Sequence, residues 1–527
     1  MEEESAARQP LLKRKTTRRA LVGGAAGTAA LAFAYATFGD QLRGSSSGGG
    51  SAAAGSGGVA SKEADALHAE DVRISHLLRR TGFGTTKDEW DRYQGMGLDA
   101  TLNELVNYQN VDDSEAEALA DAVKLDDGKA GSAVAWWLTR MLNTKRPLQE
   151  KMTFFWHGLL TSQISVVRDP VAMIDQNKLY RENALGVFPD ILKAVTANPA
   201  MMVYLDIDGS DTTAPNENYA RELMELFSLG EGNYTEEDVR QGARAFTGWR
   251  VPKTRGDNNR PVLGTPVFVP RRFDSSTKTF LGQSGNFKAN DVVDIITSQP
   301  ASASYITKRL FSFFVYENPD EQTLQPFVDV YNQSGRSIGA TLEAMLRSDV
   351  FYSPQAYRAL VKSPVEYIVG AVKALGLQSS AGRVINAGNP KGGGVFSDMG
   401  QVPLEPPNVA GWPGGGAWLN SATMFARLNF INQISGGQAA TTTGGSAPGR
   451  GPAQTRRQQP QPSGAANLGT ATQALDYYLP FLLDGNVPDA ARQVLVDYAG
   501  GADAPVTPDK LRGLAYILLA SPQFHLA

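Results

Sequence analysis

The run Pro406-Pro407-Asn408-Val409-Ala410-Gly411-Trp412-Pro413-Gly414-Gly415, followed by Ala417-Trp418-Leu419-Asn420-Ser421, constrains the fold more than any other stretch. Prolines at 406, 407 and 413 remove backbone donors and fix φ, so neither a helix nor a central strand can pass through. The glycines that follow open a turn, and two tryptophans need somewhere apolar to go. The chain must therefore build an irregular loop and dock it. Trp412 and Trp418 can serve as a stacking floor for a sugar or another ring; the plainer reading is that they pack the loop onto helices.

Elsewhere the pattern is helical. Ile306, Leu310, Phe313 and Phe314 fall at i, i+4, i+7 and i+8, a buried helix face, with Pro300 suited to its first turn. Thr235 with Asp238, and Ser363-Pro364-Val365-Glu366, read as helix caps. Thr507-Pro508 opens a last helix that ends at Ser521-Pro522. Leu346-Arg347-Ser348…Phe351 and Leu519-Ala520-Ser521…Phe524 echo each other, too briefly to count as a repeat. Between 250 and 285, prolines, Val267-Phe268-Val269 and Lys278-Thr279-Phe280-Leu281 predict a short β-hairpin or extended arm. The expected class is mainly α, in one large multi-helix domain over 63–527.

Two stretches stand apart from that domain. Lys13, Arg14, Lys15, Arg18 and Arg19 precede twenty uncharged residues, 20–39, and Ala34-Tyr35-Ala36 is a cleavage candidate. Thr17-Arg18-Arg19-Ala20-Leu21-Val22 resembles a twin-arginine signal, which implies export by that translocase to the periplasm, cell surface or medium. The rival is an uncleaved anchor, since twenty residues of helix reach about 30 Å. The segment 1–40 is read as signal or anchor, and 41–62, rich in Gly, Ser and Ala, as a flexible linker. A second low-complexity stretch, about 436–468, lacks large apolar residues and is expected to be a disordered insertion.

Composition removes several chemistries. With 42% apolar and 20% charged residues, the chain fits a soluble globular protein. It has no cysteine, which excludes disulfides, thiolate nucleophiles and zinc–thiolate sites. Four histidines make a multi-histidine metal centre a poor expectation, and a net charge of −4 offers no basic footprint for nucleic acid.

The stretch 201–225 carries the most chemical potential. Asp206, Asp208, Ser210, Thr212 and Glu217 fall at positions 1, 3, 5, 7 and 12 of an EF-hand-like count, a pattern suited to Ca²⁺. The match lacks the glycine at position 6, where Asp211 stands, and Pro215 stiffens the exit. The alternative is an Asx-rich connection whose carboxylates cap amides. In the helix beyond, Tyr219, Leu223, Leu226 and Phe227 form an apolar face. Glu217, Arg221 and Glu225 lie opposite at salt-bridge spacing, and Asn218 and Glu222 flank that face. Asn216, Asn218 and Arg221 join the two tryptophans as ligand-binding candidates. His157, after Phe154-Phe155-Trp156, is either a satisfied core histidine or a general acid–base; with Glu217 and Glu222 it completes the catalytic candidates. No nucleotide-binding or serine-nucleophile motif stands in a strand–turn–helix context.

These motifs, in this order, resemble one bacterial family. They run from Arg73-Ile74-Ser75-His76-Leu77-Leu78-Arg79-Arg80-Thr81-Gly82-Phe83-Gly84 through Phe155-Trp156-His157, Tyr204-Leu205-Asp206 and Asn216–Glu222. They continue through Tyr234–Val239, Ala245–Trp249, Lys278–Gly282 and Lys362-Ser363-Pro364 to the Pro406–Ser421 loop. The chain is identified as a member of the family called domain of unknown function 1800. The resemblance implies a mostly helical, usually exported protein, often encoded beside a second exported, sulfatase-like family, domain of unknown function 1501, which suggests a shared pathway or complex. Two positions depart from the pattern: Leu159 and Phe273 stand where many members carry histidine. A histidine-rich centre would then lack two ligands here. The expected function is an exported binding or assembly protein; the alternative is a metal-assisted hydrolase of an extracellular polymer or ester.

Overall fold

The computed structural model describes residues 29–30, 32–33, 67–125, 130–256, 261–382, 394–435 and 468–527. The expected linker, and the insertion at 436–468 apart from Leu468, lie outside the described residues, as does the expected signal apart from four residues. Two of those four, Ala29 and Phe33, are buried against the domain. Among the described residues no helix is long and apolar enough to cross a membrane.

The protein is mainly helical, as its periodicity requires. The helices that position the site are α1 (Glu70–Thr81), α2 (Ala130–Asn143), α3 (Pro147–Leu159), α4 (Pro170–Glu182), α5 (Asn218–Glu225), α6 (Glu236–Ala245), α7 (Pro300–Phe314), α8 (Pro364–Ala374), α9 (Ser421–Ile434) and α10 (Pro508–Leu519). Their starts follow local chemistry. Thr235 and Ser363 form reciprocal capping boxes with Asp238 and Glu366, and Thr507 accepts from the Lys510 N–H. Pro147, Pro170, Pro300, Pro364 and Pro508 all sit in a first turn, where the missing donor costs nothing.

The 250–285 arm is β, in three antiparallel pairs. Strand β1 (Trp249–Arg250) pairs with β4 (Val267–Phe268), β2 (Lys253–Arg255) with β3 (Pro261–Leu263), and β5 (Lys278–Phe280) with β6 (Gln283–Gly285). Strands of two or three residues cannot support a sheet alone. Packing holds them: Phe280 is fully buried against α6, where a side chain at Gly242 would meet its ring.

Two large apolar clusters make up most of the interior among the described residues, and α3 belongs to both. Leu148, Met152, Phe155, Trp156 and Leu159 join the first cluster, with α5 and the buried face of α7. Phe154 joins the second, with Trp137, α8 and α10. Phe313 of α7 packs against both. A helix of only 13 residues with every position but Pro147 and Gly158 buried has no solvent face. Its polar residues must therefore find partners inside. Glu150 accepts from Trp137 Nε1 at 2.6 Å and from Arg181 at 2.7 and 2.9 Å, while Lys151 forms an ion pair with Glu366 of α8.

Candidate functional site

The tryptophan loop docks across the C-terminal end of α3. The Thr161 hydroxyl donates to the Val409 carbonyl at 2.7 Å, and the Ile164 N–H to the Leu404 carbonyl at 2.9 Å. His157 Nε2 accepts the Leu404 N–H at 3.2 Å. Leu404 sits at φ 64°, a left-handed conformation that a bulky side chain rarely adopts. The two hydrogen bonds hold it there. His157 is 1% exposed, and burial pulls its imidazole down to about 3, so it is neutral with Nε2 as acceptor. Its ring lies edge-on to Trp137 at 5.0 Å and tilted against Trp412 at 5.6 Å. The histidine thus ties the loop to α3, and its acceptor nitrogen is already in use.

In front of Trp412 lies a cleft of about 610 Å³, within the range of small-molecule sites. Helix α3 lines it with Lys151, Phe154, Phe155, Gly158 and Leu159, and α7 with Tyr305, Lys308, Arg309, Ser312 and Phe313. Both sets run i, i+3, i+4, i+7, i+8, so each is one helix face. The sequence periodicity placed Phe313 on the buried face with Ile306, Leu310 and Phe314. Those three are fully buried, but Phe313 is turned part-way toward the cleft. Helix α1 adds Arg79 and Arg80, and the loop adds Trp412, Pro413, Gly414, Gly415 and Trp418. Gly415 sits at φ 52°, a left-handed conformation that strains any other residue, with the Glu317 carboxylate beside it on the cleft's rim.

The cleft is basic, although the chain is not. Lys151 is neutralised by Glu366, and Arg79 by Asp484. Burial opposes ionisation of Glu366, yet Lys151 and the Ser363 cap together hold its carboxyl below the usual range. Arg80, Lys308 and Arg309 have no carboxylate within ion-pair distance among the described residues, although Glu317 and the α-carboxyl of Ala527 line the same cleft and Glu366 acts on Arg80 from further off. Burial, then Arg79, pulls the Arg80 guanidinium down to about 9, which leaves it cationic at neutral pH.

The residues expected to bind a cation do not converge. Asp206, at φ 58°, accepts from Asn218 Nδ2 at 3.0 Å. Asp208 accepts the Val251 N–H at 3.0 Å and pairs with Lys253 at 2.8 Å, tying the loop to the β arm. The buried Ser210 hydroxyl accepts the Asn216 N–H at 3.0 Å; Thr212 is exposed; Glu217 lies 3.4 Å from Arg221. Among the described residues no three His, Cys, Asp or Glu side chains are arranged to hold a metal ion. The missing turn glycine is the reason. The chain closes instead through Asx turns at Asp211 and Asn216, whose oxygens accept the Thr213 and Asn218 N–H groups at 3.0 and 2.9 Å.

The remaining candidates from α5 stay in that network. Arg221 clasps Glu236 with two hydrogen bonds, 2.7 and 2.8 Å. Glu222 is half-buried; burial, then Glu225, raises its carboxyl. None of Asn216, Glu217, Asn218, Arg221 or Glu222 lines the cleft. Of the sequence candidates only Trp412 and Trp418 do, with His157 behind them. The two family departures are also separate: Leu159 lines the cleft, whereas Phe273 packs on Phe268 in the arm at 5.5 Å.

A mainly α protein with a docked Pro-Gly-Trp loop and an aromatic, basic cleft is the class this geometry defines. The chain belongs to the family described as Protein of unknown function (DUF1800), whose model matches residues 76–526. No curated protein and no solved structure matches the chain.

Proposed function

We propose that this is an exported binding protein whose ligand sits in the cleft between α3, α7 and the tryptophan loop. One observation carries the reading: Trp412 and Trp418, Phe154, Phe155 and Phe313 surround about 610 Å³ into which three cations face without an ion-pair partner among the described residues. Aromatic faces bind rings, and fixed cations orient polar groups. His157, which packs on the cleft's Trp412, is neutral, buried and committed to Leu404, so it supplies no general base. Binding without turnover fits that inventory. Export rests on the Arg18-Arg19 motif, and assembly with a co-exported protein of the domain of unknown function 1501 family rests on the resemblance alone.

The test is a binding screen of the full chain against soluble oligosaccharides, neutral and acidic, read by intrinsic tryptophan fluorescence and calorimetry. A member that binds wild type and loses at least tenfold in affinity with Trp412→Ala supports the reading. Equal binding by the variant would place the ligand elsewhere.

A further inference from the structure

Four of the described arginines are buried, and two of them are matched with acids: Arg140 meets Asp113 at 2.7 Å and Arg181 meets Glu150 at 2.7 Å, as the part-buried Arg79 meets Asp484. Arg427 lacks a carboxylate but lies over the Tyr367 ring and donates to the Lys362 carbonyl at 2.8 Å. Arg80 likewise has no carboxylate within ion-pair distance, and alone of these four it lines the cleft. It is 1% exposed and donates only to the Ala356 carbonyl, and its Nε and Nη1 have no partner. A buried cation with unfilled donors suits an anion, because the Ala356 carbonyl and the more distant Glu366 replace only part of the water it has lost. Guanidinium suits a planar or tetrahedral oxyanion in particular, since its donors form a fixed fork.

The rim continues the pattern. Lys308 and Arg309 are exposed, one helical turn from Tyr305 and Ser312, and without acids of their own. Cations at the mouth of a low-dielectric cleft concentrate anions there, and a deeper cation then holds them. Between rim and floor stand the aromatic walls.

Resting on the cleft as ligand seat, we propose that the ligand is an acidic saccharide: Arg80 anchors its oxyanion, Lys308 and Arg309 draw it in, and Trp412 faces its ring. The oxyanion is a carboxylate or a sulfate ester, which the same donors recognise. Arg80 moves slightly on binding, since its unpartnered nitrogens are shielded from water in the unliganded protein.

The test titrates the full chain with trigalacturonate, a sulfated galactan oligosaccharide and neutral galactotriose. At least one acidic probe should bind ten times or more tighter than the neutral one, and lose affinity as NaCl rises. Whichever binds tighter identifies the oxyanion. Arg80→Gln should lower acidic binding at least tenfold and leave neutral binding unchanged. Because Arg80 also holds Ala356, that variant could lose stability. Lys308→Gln/Arg309→Gln, on an exposed helix face, tests the same charge without that risk and should cost several-fold. Neutral and acidic probes binding alike, unaffected by either variant but weakened by Trp412→Ala, would overturn the oxyanion site and leave the cleft standing. Failure of all three probes, or binding untouched by Trp412→Ala, would overturn both.

Discussion

Gly411 rests directly on Gly158: a Cβ built at position 411 would lie 2.6 Å from the Gly158 carbonyl oxygen. Gly411, 253 positions from Gly158, lets the tryptophan loop cross α3 at backbone contact. Gly411 is also at φ 79°, where an L side chain is strained. Gly411→Ala should therefore destabilise the protein by about 2 kcal/mol or more, from left-handed strain plus overpacking. Urea unfolding checks this. A change within about 0.5 kcal/mol, the range of an ordinary surface substitution, would mean the loop can lift.

His157 gives a second, separable test. His157→Leu leaves the Leu404 N–H buried without an acceptor and releases a strained residue, so it should cost about 2 kcal/mol or more. His157→Gln, which can still accept, should cost less. The wild type should also be acid-sensitive. The imidazoles of His157 and His525 are each depressed to about 3, and that of His76 well below its usual value, all chiefly by burial. A group whose folded pKa is depressed contributes its stability fully above the unfolded value, near 6.5, and loses it as pH falls toward the folded one. Stability should thus decline from about pH 6.5 downward, by up to about 1.4 kcal/mol per pH unit for each histidine. Unfolding free energies at pH 7, 6 and 5 give the slope; removing His157 should reduce it, and an unchanged slope would contradict the assignment.

The Lys151–Glu366 pair joins α3 to α8 beneath the cleft. Their side chains are 2% and 14% exposed, so neither charge is well hydrated alone. Lys151→Met should cost about 3–5 kcal/mol, because it strands a buried carboxylate. Adding Glu366→Gln should recover much of that, since the amide keeps the cap at Ser363. A double mutant no better than Lys151→Met would show that Lys151 acts through packing instead.

Calcium should leave the melting curve unchanged. Asp208 is held by Val251 and Lys253, and Glu217 by Arg221, so assembling a site means breaking those contacts. A Ca²⁺-dependent rise, worth about 3 kcal/mol at a hundredfold excess over Kd and lost in Asp208→Ala, would show that the oxygens do rearrange.

Helices, caps and the β arm were legible because each depends on residues a few positions apart. Ser348 and Ser521 show how far such reading goes. Both accept the N–H of the phenylalanine three residues on, at 3.3 and 3.4 Å, and both donate to the carbonyl three residues back, at 2.7 and 2.6 Å. The short echo in the sequence is one turn used twice. The tryptophan loop was legible as a docked element for the same local reason. The cleft's charge was not. Arg80, Lys151, Lys308 and Arg309 come from three helices, and each sits within an unremarkable local pattern. Overall charge hid them, because −4 averages a basic cleft over an acidic surface. The pair Arg79-Arg80 at the end of an amphipathic helix was the one available signal. The acidic loop stayed open in the sequence: its spacing suited a cation or an Asx-rich connection, and spacing does not show that Lys253 arrives from the arm.

The central claim is that ligand binds between Trp412 and Arg80. A crystal structure of the full chain with the tightest-binding oligosaccharide of the screen tests it most directly. The account predicts a sugar ring against Trp412, within the volume bounded by Phe155, Phe313 and Trp418, and an oxyanion within hydrogen-bonding distance of Arg80. Density for the ligand at the 206–217 loop, or on the β arm with the cleft unchanged, would contradict it.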